Sequence, residues 1–310
     1  MYEFATGVID VWEKRLLSGL DQERMLKAPD RASAFIVLFD TDLNEVIASN
    51  NSNNIEDIFS QDLSGLKKKL TDVLDDKSLL ASFLFLRFDA FNLKNVLKKH
   101  FFVEETRPFE PFKFSLGTDN LYVKKMAQET EIILKEYQKN GQEIGSRIIE
   151  ESVDKAYFKV KLFIAKKEKI LMEMARLEID TANLRSFLAK DSQIFLAGGN
   201  LSVSQIKGLS QGKEEESSNN LKKFLETLEL AFLLESDQKV GGNILIERKL
   251  EGYIAKKIFQ KEKEKGSGIE KVLSFFQKKM NSYTNIRVIL FAKENGLGVA
   301  EIEGALLPIN

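Results

Sequence analysis

Residues 178–190 read EIDTANLRSFLAK, and they set a carboxylate, an amide and a guanidinium (Asp180, Asn183 and Arg185, spaced D-x-x-N-x-R) in an otherwise apolar helical run. On an α-helix, positions three apart share a face, so Asp180 and Asn183 stand side by side while Arg185 turns away. Such a trio can be a catalytic cluster, a ligand site or a structural device. Burying a short amide on an apolar helix is costly unless its hydrogen bonds are met, so either reading requires partners elsewhere in the fold.

The trio recurs, and the recurrence decides how it is read. FDAFNLKNVLKK (88–99) repeats the spacing with Asp89, Asn92 and Lys94. NSYTNIRVILFAK (281–293) repeats it more loosely, with Ser282 where the aspartate would stand, then Asn285 and Arg287. The three asparagines lie 91 and 102 residues apart. Apolar, aromatic-rich lead-ins precede each copy: SLLASFLFLRF, KILMEMARLE and GIEKVLSFFQKKM. A unit of about a hundred residues thus occurs three times, with expected boundaries at 1–110, 111–200 and 201–310. A catalytic group is needed once, whereas these polar groups return in every unit. Asp89, Asn92, Asp180, Asn183 and Asn285 are therefore expected to bind backbone where helices cross. Lys94, Arg185 and Arg287 are expected to reach solvent as candidate partner contacts.

Composition fits this architectural reading. Forty-six basic against 47 acidic residues leave a net charge of −1, which argues against a generally basic nucleic-acid binder. Cysteine is absent, which excludes thiolate metal sites, cysteine nucleophiles and disulfides and fits a reducing compartment. The amino-terminal MYEFATGVIDVWEKRLL lacks the basic-then-apolar order of a signal peptide, and the longest apolar run, LLASFLFLRF, falls short of the roughly 20 residues a bilayer needs. A soluble, cytosolic chain is expected. Only four prolines and few hairpin signals point to an almost all-α fold of long helices.

The breaks between helices follow from local chemistry. Ser18 with Asp21 has the form of a capping box opening a second helix. Asn140-Gly141 closes the helix from 119 to 139, because glycine takes the left-handed cap without cost. The region 143–190 reads as two helices joined near Lys166–Glu168. Residues 243–263 and 267–294 read as helices separated by GSG, and a short helix closes the chain. Polar SNNSNN (49–54), the connector RPFEPFKF (107–114), a capping box at Ser202 and Gln205, the loop GLSQGKEEESSNN (208–220) and a helix over 221–235 complete the expected order.

Other motifs are weaker. GLSQGK (208–213) is one residue short of a phosphate loop, and Glu214 stands where the magnesium-binding hydroxyl would be. His100, the single histidine, cannot form a histidine metal site and reads as a residue complementing a helix C-terminus. EEES (214–217) reads as a solvated loop, and KKIFQKEKEKGSG as an exposed helix end whose charges alternate. No nucleophile–base pair, metal set or cofactor motif emerges.

In order along the chain, these residues resemble the C subunit of prokaryotic V/A-type rotary ATPases, the equivalent of subunit d of the eukaryotic vacuolar enzyme. The resemblance rests on D-x-x-N-[LI]-[KR] at 89–94 and 180–185, on NIRVILFAKENGLGVAEIE (285–303), on FLAGGNLS (195–202) and on the first helix YEFATGVIDVWEKRLLS. Ser282 departs from the pattern, and RPFEPFKF and Asn140-Gly141-Gln142 have no counterpart in it. The resemblance implies three similar helical lobes in a pseudo-threefold funnel, without catalytic residues, metal or cofactor. It implies a place on the cytoplasmic face of the membrane, where the funnel joins the central shaft of D and F subunits to the proteolipid ring and transmits torque between ATP turnover and ion transport. Neither nucleic acid nor a small-molecule substrate is implied. The alternative reading from the residues is an α-helical repeat scaffold of another complex.

Overall fold

A computed structural model describes residues 2–49, 54–74, 79–102, 114–188, 195–201, 226 and 242–309. All regular structure among them is helical, as the scarcity of proline and of hairpin turns requires. The helices are α1 (Tyr2–Glu13), α2 (Gly19–Lys27), α3 (Arg31–Ile36), a 3₁₀ turn (Val37–Asp40), α4 (Asn44–Ser49), α5 (Ile55–Leu74), α6 (Leu79–Phe101), α7 (Leu121–Lys139), α8 (Ser146–Ala165), α9 (Lys169–Leu188), α10 (Gly242–Lys265), α11 (Ile269–Glu294) and α12 (Val299–Glu303). Most of SNNSNN and RPFEPFKF, the Ser202–Gln205 cap, the 208–220 loop and, apart from residue 226, the 221–235 helix lie outside the described residues.

The expected helix ends are present. The Ser18 hydroxyl accepts from the Asp21 N–H at 3.1 Å, and the Asp21 carboxylate accepts from the Ser18 N–H at 3.1 Å. Two of the first-turn donors of α2 are thereby met. Gly141 closes α7 at φ 72°, and the GSG break holds Gly266 and Gly268 at φ 69° and 82°, all in the left-handed region.

Two compact units divide the chain: residues 1–65 together with 211–310, and residues 66–210. In the unit of residues 66–210, α8 packs on α6, α7 and α9. Its core joins Phe85 and Leu86 of α6 to Val153, Ala156 and Val160 of α8 and to Leu171 and Ala175 of α9, all buried. Burial of the larger of these, Phe, Leu and Val, stabilises by about 1.5–3 kcal/mol each. A lysine is buried against this core. Lys161, 3% exposed, meets Glu178 at 2.5 Å and the Tyr157 hydroxyl at 2.8 Å, over the Phe83 ring. Burial works to lower the ammonium's pKa, but Glu178 and Tyr157 outweigh it and hold Lys161 above the ordinary lysine value.

In the other unit α11 is the central element, packed on α1, α2, α3, α10 and α12. A helix enclosed on so many sides is normally apolar all round. Here it also buries Lys271, Ser274, Lys279, Asn281, Ser282 and Asn285, so each of these polar groups needs a partner. Lys271 and Lys278 both bridge Glu13 of α1 and Glu262 of α10. Lys279 lies between Asp42 and Asp62, and the Tyr283 hydroxyl donates to Asp62 at 2.5 Å.

Candidate functional site

Asp180 and Asn183 do share one face of α9, and they tie down the returning chain. The Asp180 carboxylate accepts from the backbone N–H groups of Asn200 and Leu201 at 3.1 Å each and from the Asn200 amide at 2.9 Å. The Asn183 side chain pairs with both backbone groups of Leu196: its amide donates to the Leu196 carbonyl at 2.9 Å, and its oxygen accepts from the Leu196 N–H at 2.8 Å. An asparagine side chain is itself a primary amide, so this pairing reproduces the two-bond exchange of neighbouring strands. Residues 195–201 are thus fastened across α9 without secondary structure of their own.

The two glycines between these anchor points let the return pass close to the helix. Gly198 stands at φ 100°, a conformation that side chains rarely adopt. Gly199 is pressed on the Asp180 carboxyl: a β-carbon there would overlap Oδ1 and lie 3.1 Å from Cγ. The Gly-Gly of FLAGGNLS is therefore needed twice, once for backbone angle and once for room.

Asn285 on α11 makes the same exchange with Leu307, donating to its carbonyl and accepting from its N–H at 2.8 Å each. It also donates to Gln22 of α2 at 2.9 Å. Ser282, in the aspartate position, bonds only to the Lys278 carbonyl of its own helix at 2.8 Å. The second tie shifts one residue along the same face, where the Asn281 amide donates to the Pro308 carbonyl at 2.6 Å. Reading the sequence missed Asn281. Its signal was its place four residues before Asn285, the other helical spacing that shares a face.

On α6, Asp89 accepts from the N–H groups of Leu116 and Gly117 at 2.7 and 3.1 Å, and Gly117 takes φ 90°. Burial pushes the Asp89 carboxyl above the ordinary aspartate range, against the pull of these two N–H groups and the nearby Lys67 ammonium. Lys67 itself donates to the Ser115 carbonyl, so the same return is held from α5. Asn92 follows one turn after Asp89 and is half-buried.

The basic positions differ from one copy to the next. Lys94 pairs with Asp154 of α8 at 2.7 Å. Arg287 forms a bidentate pair with Glu56 of α5 at 2.5 and 2.6 Å, its guanidinium 4.9 Å from the Phe59 ring centre. Arg185 is half-buried. Lys94 and Arg287 therefore join helices within the chain, and Arg287 does so at an exposed position.

The three sites share one operation, the fastening of a return segment to a buried helix. The Asp89 and Asp180 carboxylates and the Asn183, Asn281 and Asn285 amides are engaged with backbone, and among the described residues no three His, Asp or Glu side chains gather as a metal site. No helix among them is long and apolar enough to cross a membrane. The family model of the ATP synthase (C/AC39) subunit matches residues 5–305, a span that takes in the three motif-bearing helices α6, α9 and α11. The chain belongs to this family. No curated protein matches it. The C/AC39 assignment agrees with the resemblance read from the motifs, and it gives the ties their context: they belong to a subunit of a larger ATP synthase assembly. The GLSQGK and EEES stretches of this C/AC39 chain lie outside the described residues, and His100 sits exposed at the end of α6, its ring edge-on to Phe101.

Proposed function

We propose that the chain is the non-catalytic rotor adaptor of a V/A-type ATPase. Its three repeats form the lobes of a pseudo-threefold funnel on the cytoplasmic face of the membrane. The funnel receives the lower end of the shaft of D and F subunits, rests on the proteolipid ring and carries torque between ATP turnover and ion transport. The observation that carries this reading is the C/AC39 family match over residues 5–305.

The physics of the ties supports it. A torque adaptor has to be stiff, and a return segment left loose would yield under load. Here the segments 195–201 and 306–308 are each fixed at two points on a buried helix by hydrogen bonds to side chains that close packing holds in place. The buried ion clusters at Lys161, Lys271 and Lys279 add directional contacts that resist sliding between helices.

The test is reconstitution from purified components. The folded full-length chain should bind the D–F shaft and the detergent-solubilised ring separately, and bridge them when both are present. A folded chain that binds neither would overturn the adaptor reading.

A further inference from the structure

Helices α7 and α8 run antiparallel: the Tyr137 hydroxyl donates to Glu151 at 2.6 Å, Lys159 donates to Glu129 at 2.6 Å, and the Tyr122 ring lies 6.5 Å from that of Phe163. The start of α7, the end of α8, the joint 166–168 and the start of α9 are therefore gathered at one end of the unit of residues 66–210. Leu121 is 70% exposed at this end and Phe163 45% exposed, with half-buried Tyr122 beside them. Large apolar side chains that stand together in water forgo the burial that would stabilise them, and such a patch marks a surface that meets something else.

The charge around these side chains is basic. The Lys125 ammonium stands 3.4 Å from the Phe163 ring centre and the Lys166 ammonium 5.7 Å from it. Residues 163–169, FIAKKEK, hold three lysines against one carboxylate, that of half-buried Glu168. Lys124 and Lys169 are offset by Asp119 at 3.6 Å and Glu173 at 4.0 Å, whereas Lys125, Lys166 and Lys167 form no ion pair among the described residues. Lys166 offsets the negative C-terminus of α8. The first turns of α7 and α9 hold no acidic residue, so the positive N-termini of both helices add to the field of the lysines.

We infer that this helix end binds an anionic lipid surface, with Leu121 and Phe163 entering the boundary between headgroups and acyl chains and Lys125, Lys166 and Lys167 meeting the phosphates. A lysine at such a boundary lays its stem along apolar surface and sends its ammonium to the headgroups, and Lys125 and Lys166 already lie along the Phe163 ring in this way. The end of a helix bundle presents a tip, which a planar surface accepts, whereas a partner helix needs a groove. Charge complementarity selects an anionic surface over a neutral one. The partner is lipid, neither the shaft nor the ring of the adaptor reading, and the inference does not depend on that reading.

The test sediments the full-length chain with vesicles of phosphatidylcholine alone and of phosphatidylcholine mixed with phosphatidylglycerol, at about 50 and 300 mM NaCl. Binding should require the anionic lipid and weaken as salt rises. K125Q/K166Q/K167Q should bind at least about tenfold more weakly at low salt. Thermal melts establish that this variant is folded, and K166Q/K167Q, which alters only exposed side chains, serves if it is not. W12F/F163W carries its one tryptophan at the tip, and its emission should move to shorter wavelength on anionic vesicles; if it does not fold, F163W is read as the difference from the wild type. A folded wild-type chain that sediments with neither vesicle, or equally with both, overturns the inference. So does a folded lysine variant that binds as tightly as the wild type, or a tip tryptophan that does not shift on bound vesicles. The adaptor reading is tested by shaft and ring and stands apart from these outcomes.

Discussion

Gly199 lies against the carboxyl group of Asp180 so closely that no other residue fits: a β-carbon on it would overlap Oδ1 and approach the Ile179 side chain to 3.1 Å. The helix and its return were shaped for each other at this point, and the ties of α9 depend on that approach. Gly199→Ala is expected to destabilise the chain by about 2–3 kcal/mol, as overpacking of a close contact does. Gly65→Ala on α5, where a β-carbon meets nothing within 4 Å, should stabilise it by about 0.5–1 kcal/mol through helix propensity. Denaturant unfolding of the two variants checks the contrast.

Asn183 and Asn285 each pair with both backbone groups of one leucine, so removing either amide orphans a buried N–H and a buried carbonyl. Asn183→Ala and Asn285→Ala should each cost about 1–3 kcal/mol. Replacement by aspartate sets a carboxylate against a carbonyl oxygen. The folded state then favours the protonated acid, and the loss should shrink as pH falls. A melt series from pH 8 to 5 reads this; equal losses at all pH values would contradict the two-way pairing.

In the third copy the tie is carried by Asn281, while Ser282 bonds only within its helix. Asn281→Ala should lower stability by about 1–2 kcal/mol, and Ser282→Ala should change it by under about 0.5 kcal/mol. Calorimetry of the two single variants settles which residue took over the aspartate's place.

Lys279 stands between two carboxylates and is only 3% exposed. Lys279→Met strands Asp42 and Asp62 beside each other, and an unfolding cost of about 3–5 kcal/mol is expected. A Lys279→Met, Asp42→Asn, Asp62→Asn triple variant should recover a large part of that loss, since no buried charge is then left unpaired. Urea denaturation of the set makes the comparison.

Asp89 titrates above its ordinary range because it is buried, and that fixes the sign of its pH effect. The folded chain binds the proton more tightly than the unfolded chain, whose value lies near 3.8. The Asp89 contribution therefore falls as pH rises through the folded pKa and is constant above it. Asp89→Asn removes this dependence, although it keeps an acceptor for only one of the Leu116 and Gly117 N–H groups, which bond to different oxygens. Its stability should vary less than that of the wild type between pH 4 and 7. The groups facing it are the Lys67 ammonium and the Ser115 hydroxyl, so Lys67→Met provides the control for the opposing charge.

The helices and their ends were legible in the sequence because they depend on neighbours a few residues away. The Ser18–Asp21 cap, the Asn140-Gly141 stop, the joint before Lys169 and the GSG break all stand where local chemistry sets them. The pairing of Asp180 with Asn183 on one face was equally local, since helical periodicity places them together. Repetition of that pair in the sequence is what pointed to ties between helix and backbone.

What the pair holds was decided by tertiary structure. Leu196 is 13 residues beyond Asn183 and Leu307 is 22 beyond Asn285, so the path of the return, and not the motif, selects the partner. The same cause moved the third tie from Ser282 to Asn281 and turned Lys94 and Arg287 toward Asp154 and Glu56. Helical spacing says which side chains share a face. Only the packed chain says which backbone groups arrive there short of a hydrogen bond, because burial far along the sequence is what leaves them in need of one.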